Sequence, residues 1–284
     1  MNTEELFDVI IIGGGAAGLT AGIYSSRARL STLILNEGAI GGQMVLTDEI
    51  ANYPGVERTN GYLLANTMKK QAKEYGCKIK SNLKISRYDL EGDIKHITLE
   101  DGREFQSRTV ILAPGGRPRP LAIPGEEQFK GSGISYCATC DGEFFTGKEV
   151  IVVGGGNSAL EEAVALTTHA KKVTIVHQFD HFQAFRHAVE QASANEKIEF
   201  ILESELRSFK GNGVLQEVSM EHLPTGKIST RNIDGVFIFA GYIPNTSDLK
   251  GIVKLNERND ILVDAEMKTI LPGVFAAGDC IQKK

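Results

Sequence analysis

Apolar residues in this chain gather in short continuous runs that stop at glycine, and two of those runs nearly copy each other. "FDVIIIGGGAAGLTAGIYSSRA" spans 7–28 and "KEVIVVGGGNSALEEAVALTTHA" spans 148–170. A β-branched run without alternation predicts a strand covered on both faces, as in a parallel sheet. The Ala- and Leu-rich stretch beyond the glycines has helical spacing, so each copy predicts a strand, a tight turn and a helix. "LSTLILNEG" (30–38) predicts the next strand of a βαβ unit. By contrast, "ISRYDLEGDIKHITLEDGREF" (85–105) alternates and carries turn signals at EGD and EDG. That pattern predicts a β-meander appended to the first unit. "TVILAPGGRPRPLAIPGEE" (109–127) and "GVFIFAGYIPNTSDL" (235–249) are apolar strands that break into turns, which suits crossings between domains.

In the first copy Gly13, Gly15 and Gly18 form G-x-G-x-x-G, with Ala17 inside the same turn. The first glycine allows the sharp bend, the second lets backbone approach a pyrophosphate, and the third lets helix and strand pack closely. The helix N-terminus then offers N–H groups and a positive dipole to the phosphates. Glu37 stands nineteen residues beyond Gly18, where an acid accepts from ribose hydroxyls. The second copy has Gly154, Gly156 and Ala159 at the same places, and alanine is tolerated at the third. The expected fold is therefore α/β with two Rossmann-like dinucleotide-binding domains, the second inserted in the first. Residues 1–113 and 245–284 are expected to form one domain and 116–243 the other.

Composition narrows the setting. The formal net charge is −5 and Lys and Arg are scattered, which argues against nucleic acid or an anionic membrane as partner. No apolar run approaches the roughly 18 residues that span a bilayer. The start, "MNTEELFDV", is acidic and runs straight into a strand, so no secretory signal is expected. The 4 cysteines, at 77, 137, 140 and 280, are too few for a secreted disulfide scaffold, and a cytoplasmic location is expected. There a C-x-x-C such as Cys137–Cys140 is metal-binding or redox-active more often than structural. Zinc needs about four ligands, and neither Cys77 nor Cys280 has matching spacing. His177 and His181 are four apart, but a helix there would have to begin inside a strand end, so no metal is expected. A disulfide closing so short a loop is a poor staple, whereas the motif suits thiol–disulfide exchange.

Four stretches in order along the chain carry a resemblance: "GGQM" to "ANYPG" (41–55), "GISYCATCDGEFFTGKEVIVVGGGNSALEEA" (133–163), "FAGYIPNT" (239–246) and "GVFAAGDC" (273–280). They resemble the low-molecular-weight thioredoxin reductases, flavoproteins with FAD in one domain and a pyridine nucleotide in the other. C-A-T-C-D just ahead of the second glycine turn is the most specific part. The resemblance implies that Cys137 and Cys140 are the redox-active dithiol, with Cys140 facing the flavin and Cys137 attacking the partner's disulfide. Asp141 matches the acid that moves protons to and from the thiols. Gly41, Gly42 and Gln43 match the loop under the flavin, and Asn52 a polar side chain near the ring system. Gly278 and Asp279 match the turn whose carboxylate holds the ribityl chain. A thioredoxin-like protein is the implied partner and a homodimer the implied assembly.

The chain also departs from that family. NADPH-using members end the strand after the second glycine turn in H-R-R-x-x-x-R, because guanidinium forks grip the 2′-phosphate. Here "VHQFDHFQAFRHA" (176–188) keeps His177 but has Gln178, Phe179 and Gln183 at the arginine places. Asp180 and Arg186 are nearby at the wrong spacing for a ribose acid or a substitute clamp. A donor other than NADPH is expected, with ferredoxin or another non-nicotinamide donor favoured over NADH. Pro114 replaces the threonine of the family's A-T-G turn. The family also continues past "GDCIQKK" with an Arg-Gln turn and a helix, so more chain is expected beyond residue 284. The alternatives are an NADH- or NADPH-dependent reductase and a non-catalytic flavin-binding redox sensor.

Overall fold

The structure is a computed structural model that describes residues 5–47, 50–51 and 53–282. The chain divides into two compact units, residues 1–117 with 243–284, and 118–242. The first contains β1 (Leu6–Ile12), α1 (Ala16–Arg27), β2 (Thr32–Leu35), α2 (Gly61–Glu74), β3 (Lys78–Lys80), β4 (Ile85–Asp89), β5 (Lys95–Leu99) and β6 (Glu104–Leu112). The chain passes to the second unit within β7 (Gly116–Pro118). That unit holds α3 (Glu126–Phe129), β8 (Ile134–Ser135), α4 (Ala138–Asp141), β9 (Glu149–Val153), α5 (Asn157–Leu166), β10 (Lys172–Val176), α6 (Arg186–Ser193) and β11 (Ile198–Ile201). It continues with β12 (Ser204–Asn212), β13 (Val214–His222), β14 (Lys227–Asn232) and β15 (Gly235–Ile238). The return runs through β16 (Tyr242–Pro244), and β17 (Val274–Ala276) completes the first unit.

In the first unit β3, β2, β1 and β6 run parallel in that order. The long β6 then uses one edge twice. Its first half pairs with antiparallel β5, and its second half with parallel β17. β4 completes the meander on β5. The unbroken apolar run of β1 has a plain cause: both of its faces are covered. Ile10 and Ile12 pack with Leu33, Val110 and Ile97 on one side. Val9 and Ile11 pack with Leu19 of α1 and Leu64 and Met68 of α2 on the other. The strand read at 30–38 is shorter than its apolar pattern, because Asn36–Gly38 turn away to serve the glycine loop.

The second unit has a parallel sheet in the order β11-β10-β9-β15-β8. Val150 and Val152 of β9 face α5 and α6, whose Leu160, Ala163 and Ala188 fill that core. Ile151 faces the opposite side, where Leu206, Phe209, Leu215 and Val218 come from an antiparallel sheet of β12, β13 and β14. Sequence reading left this second sheet out. Its signal was present: alternation over 204–232 with turns at GNG and PTG, the pattern of two hairpins. No helix of the described residues is long and apolar enough to cross a membrane.

Candidate functional site

The first glycine turn joins β1 to α1. Gly13 has φ +105°, and a Cβ there would lie 2.0 Å from the carbonyl oxygen of Ala113. A Cβ on Gly18 would lie 1.9 Å from the carbonyl oxygen of Gly13. Both positions are closed to any side chain. Gly15 differs, since the nearest atom to its Cβ position is Gly42 Cα at 3.8 Å. Gly15 caps α1 without any side-chain hydrogen bond, so the helix N-terminus keeps its N–H groups for another partner. Gly42 sits against this turn at φ +60°, and Gly41 N–H donates to the Gly14 carbonyl at 2.8 Å. Gln43 follows, half-buried, in a 3-10 turn. Gly278 approaches from β17, with a Cβ position 2.9 Å from Ala17 Cβ.

Six of the candidate positions, Gly13, Gly15, Ala17, Gly18, Gly42 and Gly278, are thus brought into one contact set. Glu37 and Asp279 are exposed on the neighbouring turns. Asn52 lies outside the described residues. Sequence reading missed Asn36. Its Oδ1 accepts the Gly14 N–H at 2.8 Å, and its Nδ2 donates to the Gly38 and Ala39 carbonyls. The side chain fixes both the glycine turn and the loop that carries Glu37.

In the second unit β8 leads directly into the cysteines. Cys137 and Cys140 are joined by a disulfide, with Cα atoms 5.3 Å apart. Cys137 caps the single turn of α4, its sulfur accepting the Cys140 N–H at 3.1 Å. Cys137 and Asp141 are half-buried and Cys140 is exposed. The Asp141 N–H donates to the Cys137 carbonyl at 3.3 Å. Ser135 Oγ lies 2.6 Å from Asp141 Oδ2 and accepts the Cys137 N–H at 3.0 Å. This serine carries no motif of its own. The other two thiols take no part: Cys77 and Cys280 are buried, and burial pushes the Cys280 thiol up to about 11.

The second glycine turn opens onto a cavity of about 570 Å³ lined by Gly154–Ala159, His177, Gln178, Gln183, Tyr136 and Arg119 among others. Gly154 has φ +138°, with a Cβ position 2.5 Å from the carbonyl oxygen of Phe239. A Cβ on Gly155 would fall 2.4 Å from the ring of His177. That ring stacks on Phe182 and meets Phe179 edge-on, with centroids 5.9 and 5.3 Å away. The end of β10 is therefore ringed by aromatic side chains, with the amides of Gln178 and Gln183 on the cavity wall. The stretch after β10 is tied along the turn by Gln183 N–H to the Gly155 carbonyl and by Phe185 N–H to Asn157 Oδ1, each 2.7 Å.

The two nearby substitutes do not face this cavity. Arg186 is largely solvent-exposed and pairs with Glu190 at 2.6 Å. Asp180 is exposed and pairs with His181 at 2.6 Å. Arg207 lines the cavity but is held by Glu205 and Glu221 at 2.7 and 2.6 Å. Among the described residues no group of three or more His, Cys, Asp or Glu side chains is placed to hold a metal ion.

A glycine turn in each unit and a disulfide beside the second turn define a pyridine nucleotide–disulfide oxidoreductase. Residues 7–284 match the family described as Pyridine nucleotide-disulphide oxidoreductase, and the chain belongs to that FAD-binding family of oxidoreductases. The similarity is to thioredoxin reductases in particular. The thioredoxin reductase of Peptoclostridium acidaminophilum is 42% identical over 97% of this chain and 89% of its own. The crystal structure of Lactococcus lactis thioredoxin reductase, in its FR conformation, superimposes with a TM-score of 0.94 at 39% identity, covering 98% of this chain and 91% of that one. A 34.2 kDa protein in the rubredoxin operon of Clostridium pasteurianum is 39% identical over 100% of this chain and 92% of its own length.

Proposed function

We propose that this thioredoxin reductase-like enzyme takes electrons from a donor other than NADPH and passes them through FAD and Cys137–Cys140 to a thioredoxin-like protein. The FAD reading rests on the first unit. Gly13 and Gly18 are closed to side chains, and Gly15 is open beside an uncapped helix N-terminus, which fits a pyrophosphate. Glu37 is assigned to the ribose, and Gly42, Gln43, Gly278, Asp279 and Asn52 to the rest of the cofactor. When bound, the flavin supplies the two electrons that open the disulfide.

The chain's own chemistry then follows from Cys137, Cys140 and Asp141. In the dithiol state Cys137 gives up its proton to Asp141 and its thiolate attacks one sulfur of the acceptor's disulfide. A mixed disulfide forms, and the released acceptor sulfur takes a proton delivered by Asp141. Cys140 then loses its proton to Asp141 and attacks the Cys137 sulfur. The enzyme disulfide re-forms and the second acceptor sulfur leaves as a thiol. Two electrons and two protons have passed from enzyme to acceptor.

The donor reading is carried by one observation: Gln178, Phe179 and Gln183 surround the end of β10, and Arg186 points to solvent in an ion pair. A 2′-phosphate there would be desolvated without a guanidinium partner. The cavity's acid, Glu205, is engaged with Arg207, which weakens the case for a bare ribose as well. Ferredoxin or another small redox protein is the favoured donor. The relative encoded in a rubredoxin operon supports a donor of that class. A homodimer belongs to the same reading.

The thiol assignment has a direct test. Enzyme reduced with stoichiometric dithionite is mixed anaerobically with oxidised thioredoxin, and the appearance of thioredoxin thiols is followed. Cys137→Ser is expected to lose at least about three orders of magnitude, and Cys140→Ser to stop at the mixed disulfide with one thioredoxin thiol released, both keeping the flavin spectrum. Release of both thioredoxin thiols by Cys140→Ser moves the redox centre elsewhere.

A further inference from the structure

Ser135 is buried in β8, two residues ahead of Cys137, and its hydroxyl meets three groups of the disulfide turn. It accepts the Cys137 N–H at 3.0 Å. It lies 2.6 Å from Asp141 Oδ2 and 3.1 Å from the Cys137 carbonyl oxygen. A serine hydroxyl has one proton to give and two lone pairs to offer. It therefore donates to only one of the two oxygens at a time, and the shorter contact is with the carboxylate.

The arrangement accommodates both charge states of Asp141. With the carboxylate ionised, the Ser135 O–H donates to Oδ2, a charge-assisted bond. With Asp141 protonated, its own O–H donates to Ser135 Oγ, and the serine proton turns to the Cys137 carbonyl. Ser135 Oγ and Asp141 Oδ2 stay hydrogen-bonded to each other in either state, and the carboxyl group need not move. A buried polar atom left without a partner in one state would penalise that state.

We propose that Ser135 is a positioning residue for thiol–disulfide exchange: its hydroxyl holds Asp141 against the Cys137–Cys140 turn both with and without the proton that Asp141 carries. The inference rests on the reading of Asp141 as the proton carrier. The balance of the exchange is unchanged by it. The acceptor's two sulfurs gain the two protons and two electrons that Cys137 and Cys140 lose, and Ser135 ends each cycle with the proton it began with.

The test uses the holoenzyme, reduced with stoichiometric dithionite and mixed anaerobically with oxidised thioredoxin. Four variants are compared: Ser135→Ala, Ser135→Thr, Asp141→Asn and the double variant Ser135→Ala/Asp141→Asn. General acid–base groups contribute roughly 10²–10⁴-fold, so Asp141→Asn is expected to slow exchange by about a hundredfold or more. Ser135→Ala is expected to slow it by about tenfold with the flavin spectrum of the wild type, and Ser135→Thr to restore most of the rate. The double variant is expected to be no slower than Asp141→Asn alone, since a serine that acts through Asp141 has nothing left to position. Wild-type exchange in Ser135→Ala overturns the inference, as does a tenfold loss that repeats in the Asp141→Asn background. If Asp141→Asn itself exchanges at the wild-type rate, the reading of Asp141 has failed, a result distinct from either of those.

Discussion

At the end of β10 the imidazole of His177 lies buried between Phe179 and Phe182, and its Nε2 has no hydrogen-bond partner among the described residues. Burial holds its pKa below the ordinary 6.5. The folded chain then binds fewer protons here than the unfolded chain, so stability rises with pH across the interval between the two values. The contribution is present above about 6.5 and is lost as pH falls through the lowered folded-state value. His177→Phe removes the titration and the unpartnered Nε2, at the loss of the ring's hydrogen bond with the His181 backbone. Urea unfolding from pH 5 to 7.5 is expected to show a shallower acid-side loss in that variant, and an unchanged slope contradicts the assignment. Residues of this kind show what sequence reading reaches at this scale. Gly13 and Gly18 announce themselves because each faces a carbonyl oxygen that excludes every side chain. Asn36 and Ser135 do not, because a side chain that bonds to a backbone N–H or a neighbouring carboxylate belongs to no fixed spacing.

Among the elements, the segment entering the second unit depends on one carboxylate. Glu126, buried at the start of α3, accepts the N–H groups of Leu121 and Ala122 at 2.9 and 2.6 Å and the Tyr136 hydroxyl at 2.5 Å. Burial raises the Tyr136 pKa well above its ordinary value, and the Glu126 hydrogen bond raises it further, so the phenol remains the donor. Glu126→Ala strands three donors together and is expected to cost about 3 kcal/mol, read as a lower urea midpoint. Glu126→Gln, which keeps an acceptor oxygen, is expected to cost less, and equal losses would contradict the hydrogen-bond account. The buried parallel strands were legible because covering both faces of β1 and β9 leaves an apolar run no polar alternative. The β4–β5–β6 meander was legible through alternation and its glycine turns. The β12–β13–β14 sheet carries the same alternation, but Lys, Glu, Arg and Ser on its open face dilute the apolar signal to a few inward residues such as Leu206 and Val218.

For the molecule as a whole, two glycine turns of similar build differ in what surrounds them. The first has Asn36 and Glu37 at the end of its second strand, an open Gly15 and an uncapped helix. The second keeps the backbone geometry at Gly154 and the helix N-terminus at Gly156, yet the end of β10 holds Gln178 and aromatic rings. Arg119 lines the cavity and makes no ion pair among the described residues, so it is the cation to replace if a phosphate does bind. Charge-assisted hydrogen bonds contribute on the order of 1.5–3 kcal/mol each, and losing several lowers affinity by orders of magnitude. The most direct measurement is anaerobic stopped-flow mixing of the oxidised holoenzyme with NADPH, NADH or reduced ferredoxin, followed by the loss of flavin absorbance. The expected result is bleaching by reduced ferredoxin and none within seconds at micromolar NADPH. Fast bleaching by micromolar NADPH, abolished in Arg119→Ala, would contradict the account and put the phosphate clamp at Arg119.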